Sequence, residues 1–146
     1  MALTVANSLQ VEQVDWAQLD TILLDMDGTL LDLAFDNHFW GTVIPEQWGR
    51  RCGLDLQSAQ QRLAPIFARE QGKLNWYCLD FWGQTLELDI PSIKSDHTDG
   101  IRWRPLAETF LRRLQASHLD VVLITNAHPV TPVSYTHLTL PTNREV

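Results

Sequence analysis

Residues 21–30 have the sequence TILLDMDGTL, which is the strongest strand signal in the chain. The first four residues form a short apolar run that ends at a glycine-containing turn, which is typical of a buried strand of parallel type. A second such run, VVLI at residues 121–124, ends at Thr125 and Asn126. Open α/β sheets bind their ligands at the carboxyl ends of their strands. The two runs therefore predict polar site residues at one edge of a sheet.

The segment before the second strand predicts a helix. Pro105 suits the first turn, where its missing N–H would be unpaired in any case. Apolar residues then recur at helical spacing: Leu106, Phe110, Leu111 and Leu114. A helix followed by a strand is the second half of a β–α–β crossover, which brings the second strand beside the first. The predicted fold class is α/β, with a parallel sheet.

Between the two strands lies an insert of about 65 residues, far longer than a simple crossover needs, and its pattern is helical. Asp55 is a plausible N-cap, and Pro65 is expected to kink or interrupt the helix that follows. Apolar stripes fall at Ala59, Leu63, Ile66 and Phe67, and at Trp76, Leu79, Trp82 and Leu86, with Pro91 closing the region. Four tryptophans lie in this insert, and two interpretations stay open: a small aromatic core, or a pocket wall that stacks on a flat substrate. They are Trp40, Trp48, Trp76 and Trp82.

Composition excludes several classes of protein. The 146 residues carry 11 Lys and Arg against 18 Asp and Glu, a formal charge of −7, and the isoelectric point is near 5.0. This balance gives no basic surface for nucleic acid. No apolar run is long enough to span a bilayer, and the N-terminus has no signal-peptide pattern. Two cysteines, Cys52 and Cys78, are too few for a disulfide scaffold. We expect a cytoplasmic protein with a small-molecule partner and without a nucleic-acid or membrane partner.

Asp25 and Asp27 are the main chemical signal. Two carboxylates two residues apart, just after a strand, can face one crevice, where one attacks an electrophile and the other exchanges a proton with the leaving group. Their mutual repulsion favours a hard cation such as Mg²⁺, which also coordinates phosphoryl oxygens. Thr125 and Asn126 supply uncharged groups suited to those oxygens. An Asx turn that merely ends the strand is the alternative interpretation.

The segments LLDMDGTLLDLAFDN (residues 23–37), LNWYCLD (74–80) and TNAHP (125–129) resemble the haloacid dehalogenase superfamily, and more closely its GMP/IMP nucleotidase branch. The resemblance extends from about residue 14 to residue 131. It implies an incomplete Rossmann-like parallel sheet with an inserted helical cap. The implied organisation is a core at residues 1–32, a cap at 33–100, a second core segment at 101–131 and a non-native-looking tail at 132–146.

The resemblance also implies roles for individual residues. Asp25 would be the nucleophile that forms an aspartyl-phosphate, and Asp27 would be the general acid and then the base. Mg²⁺ would be held by the Asp25 carboxylate and the Asp27 backbone carbonyl. Thr125 and Asn126 would hold the phosphoryl group. For the full-length parent protein, the expected reaction is Mg²⁺-dependent hydrolysis of purine nucleoside 5′-monophosphates, GMP and IMP.

The sequence departs from the family after residue 126, where it has no Lys and no Asp. The family has a lysine and an acidic pair there, so we expect a C-terminally truncated chain with little activity of its own. An inactive fragment and a sugar-phosphate phosphatase are the alternative functions. Lys73 and Lys94 are expected to be solvated surface residues, and His128 a turn residue.

Overall fold

The computed structural model describes residues 14–126. The expectations for His128 and for the tail at residues 132–146 lie outside this range. Strands β1 (Thr21–Leu24) and β2 (Asp120–Leu123) pair in parallel, in a register that runs from Thr21 opposite Asp120 to Leu24 opposite Leu123. The predicted parallel pairing of distant strands is therefore confirmed.

The strands are less buried than an interior parallel strand. In β1, Leu24 is buried but Leu23 is 63% exposed, and in β2 the side chains of Val121 and Leu123 are buried. The sheet therefore has one face packed on the core and one face open to solvent within the described part of the chain. Single-sided burial follows from alternation of side chains along a strand.

The described residues contain six α-helices: α1 (Ala34–His38), α2 (Ile44–Cys52), α3 (Leu56–Glu70), α4 (Leu79–Leu86), α5 (Ile90–Ser95) and α6 (Ala107–Gln115). A π-helical turn, Phe39–Val43, joins α1 to α2 without a break. Short 3₁₀ turns occupy Trp16–Gln18, Leu74–Tyr77 and Thr98–Gly100. The long region between the strands is therefore helical, as predicted.

The capping prediction for α3 is confirmed, because the Asp55 side chain accepts a hydrogen bond of 2.7 Å from the Ser58 backbone N–H. Pro65 does not interrupt α3, which continues to Glu70. Pro91 does not close a helical region but stands in the first turn of α5. Proline suits that position because the first N–H groups of a helix have no intrahelical acceptor.

Helix α6 begins later than the sequence predicts. Pro105 lies in the turn before the helix, and Leu106, at φ 69°, is the N-cap with its side chain 79% exposed. Leu111 and Leu114 are buried, as the apolar spacing indicates. Leu106 therefore belongs to the turn that leads into α6, and not to the helix's buried stripe.

One hydrophobic cluster extends from the strands into the helical region. At its centre in the helical region is Trp82, which is 1% exposed and has ring centroids 5.1–6.2 Å from four other aromatic rings: Trp40, Phe67, Trp76 and Phe81. Such edge-on and tilted contacts are favourable arrangements for aromatic rings. Trp82 therefore satisfies the core interpretation of the tryptophans.

Two connecting segments, residues 30–32 and 102–104, link the strand region to helices α1–α5 and lie side by side. The Asp32 N–H donates to the Arg102 carbonyl at 2.9 Å, and the Arg104 N–H donates to the Leu30 carbonyl at 2.8 Å. Helices α1–α5 all begin and end between these paired segments. The domain boundaries at residues 32 and 100 stay a prediction.

Candidate active site

The loop after β1 is a tight turn built on Met26. Its side chain is fully buried, and its carbonyl accepts hydrogen bonds of 2.9 Å from the N–H groups of both Leu30 and Leu31. Gly28 has φ +80°, a left-handed conformation that glycine adopts without steric cost. The residues on either side of Met26, Asp25 and Asp27, both line one pocket.

The end of β2 brings the second predicted pair to the same place. The Ile124 N–H donates to the Leu24 carbonyl at 2.7 Å, which continues the parallel pairing one residue past the strands. Thr125 and Asn126 then follow, and both line the pocket that holds Asp25 and Asp27. The structure therefore brings together all four predicted site residues, while their chemical roles stay predictions.

The pocket has a volume of about 620 Å³, and its other walls come from the helical region. These walls combine polar residues of α1 with aromatic residues of later segments: Asp36, Asn37, Trp40, Phe67, Trp76 and Tyr77. Trp40 belongs to the π-helical turn, a type of irregularity that is frequent at functional sites. Trp40 and Trp76 therefore line a pocket, whereas Trp82 lies in the core, and stacking of the tryptophans on a flat substrate stays a prediction.

The carboxyl group of Asp27 is in an unfavourable environment for a charge. Burial, and secondly the negative charge of Asp36, raises its pKa from 3.8 to about 6, and Asp25 adds a smaller effect in the same direction. The positive charge of Lys94 acts in the opposite direction. The Asp27 Oδ1 atom is buried and has no hydrogen-bond partner within residues 14–126. Such a buried acceptor is costly unless a donor or a cation reaches it.

The expectation that Lys94 is a solvated surface residue is wrong. Lys94 is 6% exposed, and it is the only charged residue classed as buried among residues 14–126. Its Nζ lies 3.1 Å from the Asp36 Oδ1 and 5.5 and 5.8 Å from the ring centroids of Phe35 and Phe39. A buried ammonium requires such compensation, since desolvation alone is costly. Lys73, in contrast, is exposed, as expected.

Lys94 and Asp36 are pocket residues that the sequence analysis missed. One local signal could have found Lys94: it follows Ile90 by four residues, so both lie on one face of α5. Ile90 is fully buried, and a lysine on the same face therefore points towards the core. Asp36 has no comparable signal, because its partner is 58 residues away in the sequence.

The oxygen atoms that Asp25 and Asp27 offer are suitable for Mg²⁺. The Asp25 carboxylate and the Asp27 backbone carbonyl are hard oxygen donors of the kind that Mg²⁺ prefers, since Mg²⁺ is usually bound by one or two carboxylates together with water and substrate phosphate. The buried Asp27 Oδ1, which lacks a donor, and the neighbouring charges of Asp25 and Asp36 create a need for positive charge. Residues 14–126 contain no group of three or more Asp, Glu, His or Cys side chains that could together hold a metal ion.

None of the helices in the described part of the chain is long and apolar enough to cross a membrane. The cytoplasmic location and the absence of a nucleic-acid partner stay predictions.

The fold of this chain is similar to that of a solved phosphatase. A solved haloacid dehalogenase phosphatase from Thermococcus onnurineus superimposes with a TM-score of 0.75 and 14% sequence identity, over 88% of this chain and 61% of that one. The fold class predicted from the sequence, a partial haloacid dehalogenase-type α/β fold, is therefore confirmed. No family model matches the sequence.

Sequence comparison gives a narrower relationship. GMP/IMP nucleotidase YrfG from Escherichia coli strain K12 is 45% identical over 116 residues, which cover 80% of this chain. The same protein from Shigella flexneri matches to the same extent. The chain spans about half the length of these relatives, 52%. The resemblance to the haloacid dehalogenase superfamily, and within it to GMP/IMP nucleotidases, is confirmed over the matched residues.

Proposed function

We propose that this chain carries the nucleophile and the acid–base residue of a phosphomonoester hydrolase that acts on purine nucleoside 5′-monophosphates. One observation carries the proposal: Asp25 and Asp27 after β1, and Thr125 and Asn126 after β2, line one pocket of about 620 Å³. The relatives named GMP/IMP nucleotidases support the substrate class. An Asx turn alone would not explain why the second strand delivers polar residues to the same pocket.

In the first step, a carboxylate oxygen of Asp25 attacks the phosphorus atom of the substrate. The new O–P bond forms as the bond from phosphorus to the 5′-oxygen breaks. Asp27 gives its proton to the departing 5′-oxygen, which leaves as the nucleoside hydroxyl. A pKa near 6 suits this role, because a proton donor works best when its pKa is close to the working pH.

In the second step, the Asp27 carboxylate takes a proton from a water molecule as the water oxygen attacks the phosphorus atom. The bond from phosphorus to the Asp25 oxygen breaks, which releases inorganic phosphate and restores both carboxyl groups. Thr125 and Asn126 hold the phosphoryl oxygens through uncharged groups. A bound Mg²⁺, held by the Asp25 carboxylate and the Asp27 backbone carbonyl, would neutralise charge on the phosphoryl oxygens.

The aromatic wall favours a nucleotide over a sugar phosphate. Trp40 and Trp76 line the pocket, together with Phe67 and Tyr77. Trp40 is held in place by Phe39, Phe67 and Trp82, with ring centroids 5.4–6.0 Å apart. Rigid aromatic faces stack well on a planar aromatic base, which a nucleotide has and a sugar phosphate lacks.

The test is a substrate panel on the purified chain with Mg²⁺: IMP, GMP, ribose 5-phosphate and glucose 6-phosphate, with inosine as the ligand that lacks phosphate. We expect slow phosphate release from IMP and GMP, consistent with the little activity expected of this chain, and loss of that turnover with retained IMP binding in Asp25→Asn. The matched control is Asp99→Asn, which removes the same charge at an exposed position.

The outcomes separate the alternatives. Preferential hydrolysis of the sugar phosphates would replace the nucleotide proposal with the sugar-phosphate alternative. Binding of IMP without turnover by the wild-type chain would refute its catalytic role and favour the inactive fragment. Undiminished turnover in Asp25→Asn would refute the nucleophile assignment.

A further inference from the structure

Lys94 brings a positive charge into a pocket whose other charged residues are acidic. Within residues 14–126, the charged side chains that line the pocket are Asp25, Asp27, Asp36 and Lys94. Lys94 comes from α5 in the helical region, whereas Asp25 and Asp27 follow β1. The inserted helices therefore contribute the ammonium group, whereas the loop after β1 contributes the two carboxylates.

The surroundings of Lys94 hold the ammonium in place at the pocket. The side chain is 8% exposed, and its Nζ contacts the Asp36 Oδ1 at 3.1 Å. The rings of Phe35 and Phe39 face the same Nζ at 5.5 and 5.8 Å. Asp36 and Phe35 belong to α1, and Phe39 begins the π-helical turn, so one continuous helical segment holds the lysine.

A solely structural ion pair does not account for this arrangement. Buried ion pairs contribute little net stability compared with apolar residues of similar size, because desolvation offsets their attraction. This pair also lies at the pocket that holds two further carboxylates and not in a closed core. A phosphate group that enters such an acidic pocket needs compensating cations, and a lysine is a common point charge for that purpose.

We propose that Lys94 is a substrate-binding residue that recognises the phosphate group of the substrate, with Asp36 as the residue that positions it. This inference rests on the proposed function and identifies the part of the cap that recognises the anion. Lys94 donates a hydrogen bond from its ammonium to a phosphoryl oxygen. Asp36 and the two aromatic rings keep the ammonium directed at the pocket when no anion is bound.

Substitution of Lys94 and substitution of Asp36 are expected to have opposite effects on anion affinity. Lys94→Met removes the cation, so we expect IMP and inorganic phosphate to bind about 10- to 100-fold more weakly, the range for a hydrogen bond to a charged group. Inosine affinity stays unchanged. Asp36→Asn keeps an Oδ1 atom that accepts the Lys94 hydrogen bond and so positions the ammonium, but it removes the competing negative charge, so we expect tighter binding of both anions. A structural pair would instead lose affinity from either side.

The experiment is calorimetric titration of the whole chain with IMP, inorganic phosphate and inosine, with Mg²⁺ present throughout and every variant made in an Asp25→Asn background, which is expected to bind IMP without hydrolysing it. Lys73→Met is the matched control, because Lys73 is exposed and pairs with Glu70 outside the pocket. Lys94→Arg keeps the charge and retains part of the phosphate affinity. It also keeps the test decisive where Lys94→Met fails to fold, as judged by circular dichroism.

Several results would overturn the assignment. Equal weakening of IMP and inosine in Lys94→Met would make the lysine structural, and so would weaker phosphate binding in Asp36→Asn. Unchanged phosphate affinity in Lys94→Met would exclude a direct contact. Failure of the wild-type chain to bind IMP or phosphate at all is a different outcome, because it would refute the proposed function itself.

Discussion

Replacement of Asp27 by asparagine is expected to stabilise the fold at neutral pH while it removes the proposed acid–base group. The native environment raises the pKa of this carboxyl from 3.8 to about 6, through burial first and the charge of Asp36 second. The native state therefore binds the Asp27 proton more tightly than the unfolded chain does. Ionisation of Asp27 above that pKa is a cost that the native state bears and the unfolded chain does not.

The sign of the effect follows from linkage. Well below pH 3.8 the carboxyl is protonated in both states, and the penalty is absent. Between pH 3.8 and about 6 the unfolded chain loses this proton while the native state keeps it, so the free energy of unfolding falls; it levels off at about pH 7, where the native carboxyl is ionised as well. A shift of about two pKa units corresponds to about 3 kcal/mol. Because the group faces a solvated pocket, screening reduces this to about 1–2 kcal/mol.

The assay is urea unfolding followed by tryptophan fluorescence, which the six tryptophans make sensitive, in buffers that contain a chelator. Asp27→Asn is compared with the wild-type chain between pH 4 and pH 8. We expect the variant's advantage to grow from pH 4 to pH 7 and then to stay constant. Asp99→Asn, an exposed position with the same change of charge, controls for the reduced net charge. An advantage that does not change with pH, or a less stable variant at pH 8, would refute the reasoning.

Three further predictions concern the metal and the backbone. Mg²⁺ is expected to raise the melting temperature of the wild-type chain by roughly 2–5 °C through mass action, and Asp25→Asn should lose that rise in differential scanning fluorimetry. Asp55→Ala removes the cap of α3, which lowers the free energy of unfolding by about 1 kcal/mol in urea titrations. Gly28→Ala forces a side chain into φ +80° with its Cβ 3.2 Å from the Leu33 Cδ1. Its destabilisation in urea should exceed that of Gly53→Ala, where φ is +67° but no atom lies within 4 Å of the added Cβ.

Local sequence was sufficient to predict the strands and the residues that follow them. An apolar run before a turn with Gly28 specifies a strand and its end within ten residues, and the parallel pairing then follows from the crossover. The pairing alone brings Thr125 to the pocket of Asp25 and Asp27. The predicted residue pairs therefore meet because strand ends are local features and sheet topology has few alternatives.

The helical side of the pocket, where Lys94 and Asp36 lie, could not be predicted from strand ends and sheet topology. Lys94 and Asp36 meet only after the helical segments of α1 and α5 have packed together, and they are 58 residues apart. A single lysine in a polar stretch is expected to be exposed to solvent, since lysine is rarely buried unless it is paired. The start of α6 was misplaced for a local reason: Leu106 takes a left-handed conformation that its apolar side chain does not signal.

The Asp27 and Lys94 effects are expected to depend on each other. Lys94 lowers the pKa of Asp27, and it therefore offsets part of the penalty for the ionised carboxyl. In a Lys94→Met background this offset is lost, so Asp27→Asn should give a larger gain in stability at pH 8 than it gives in the wild-type chain. A double-mutant cycle measured by urea unfolding gives this difference directly. A gain that is the same in both backgrounds would show that the ammonium does not act on the carboxylate, and it would refute the proposed electrostatic link between Lys94 and Asp27.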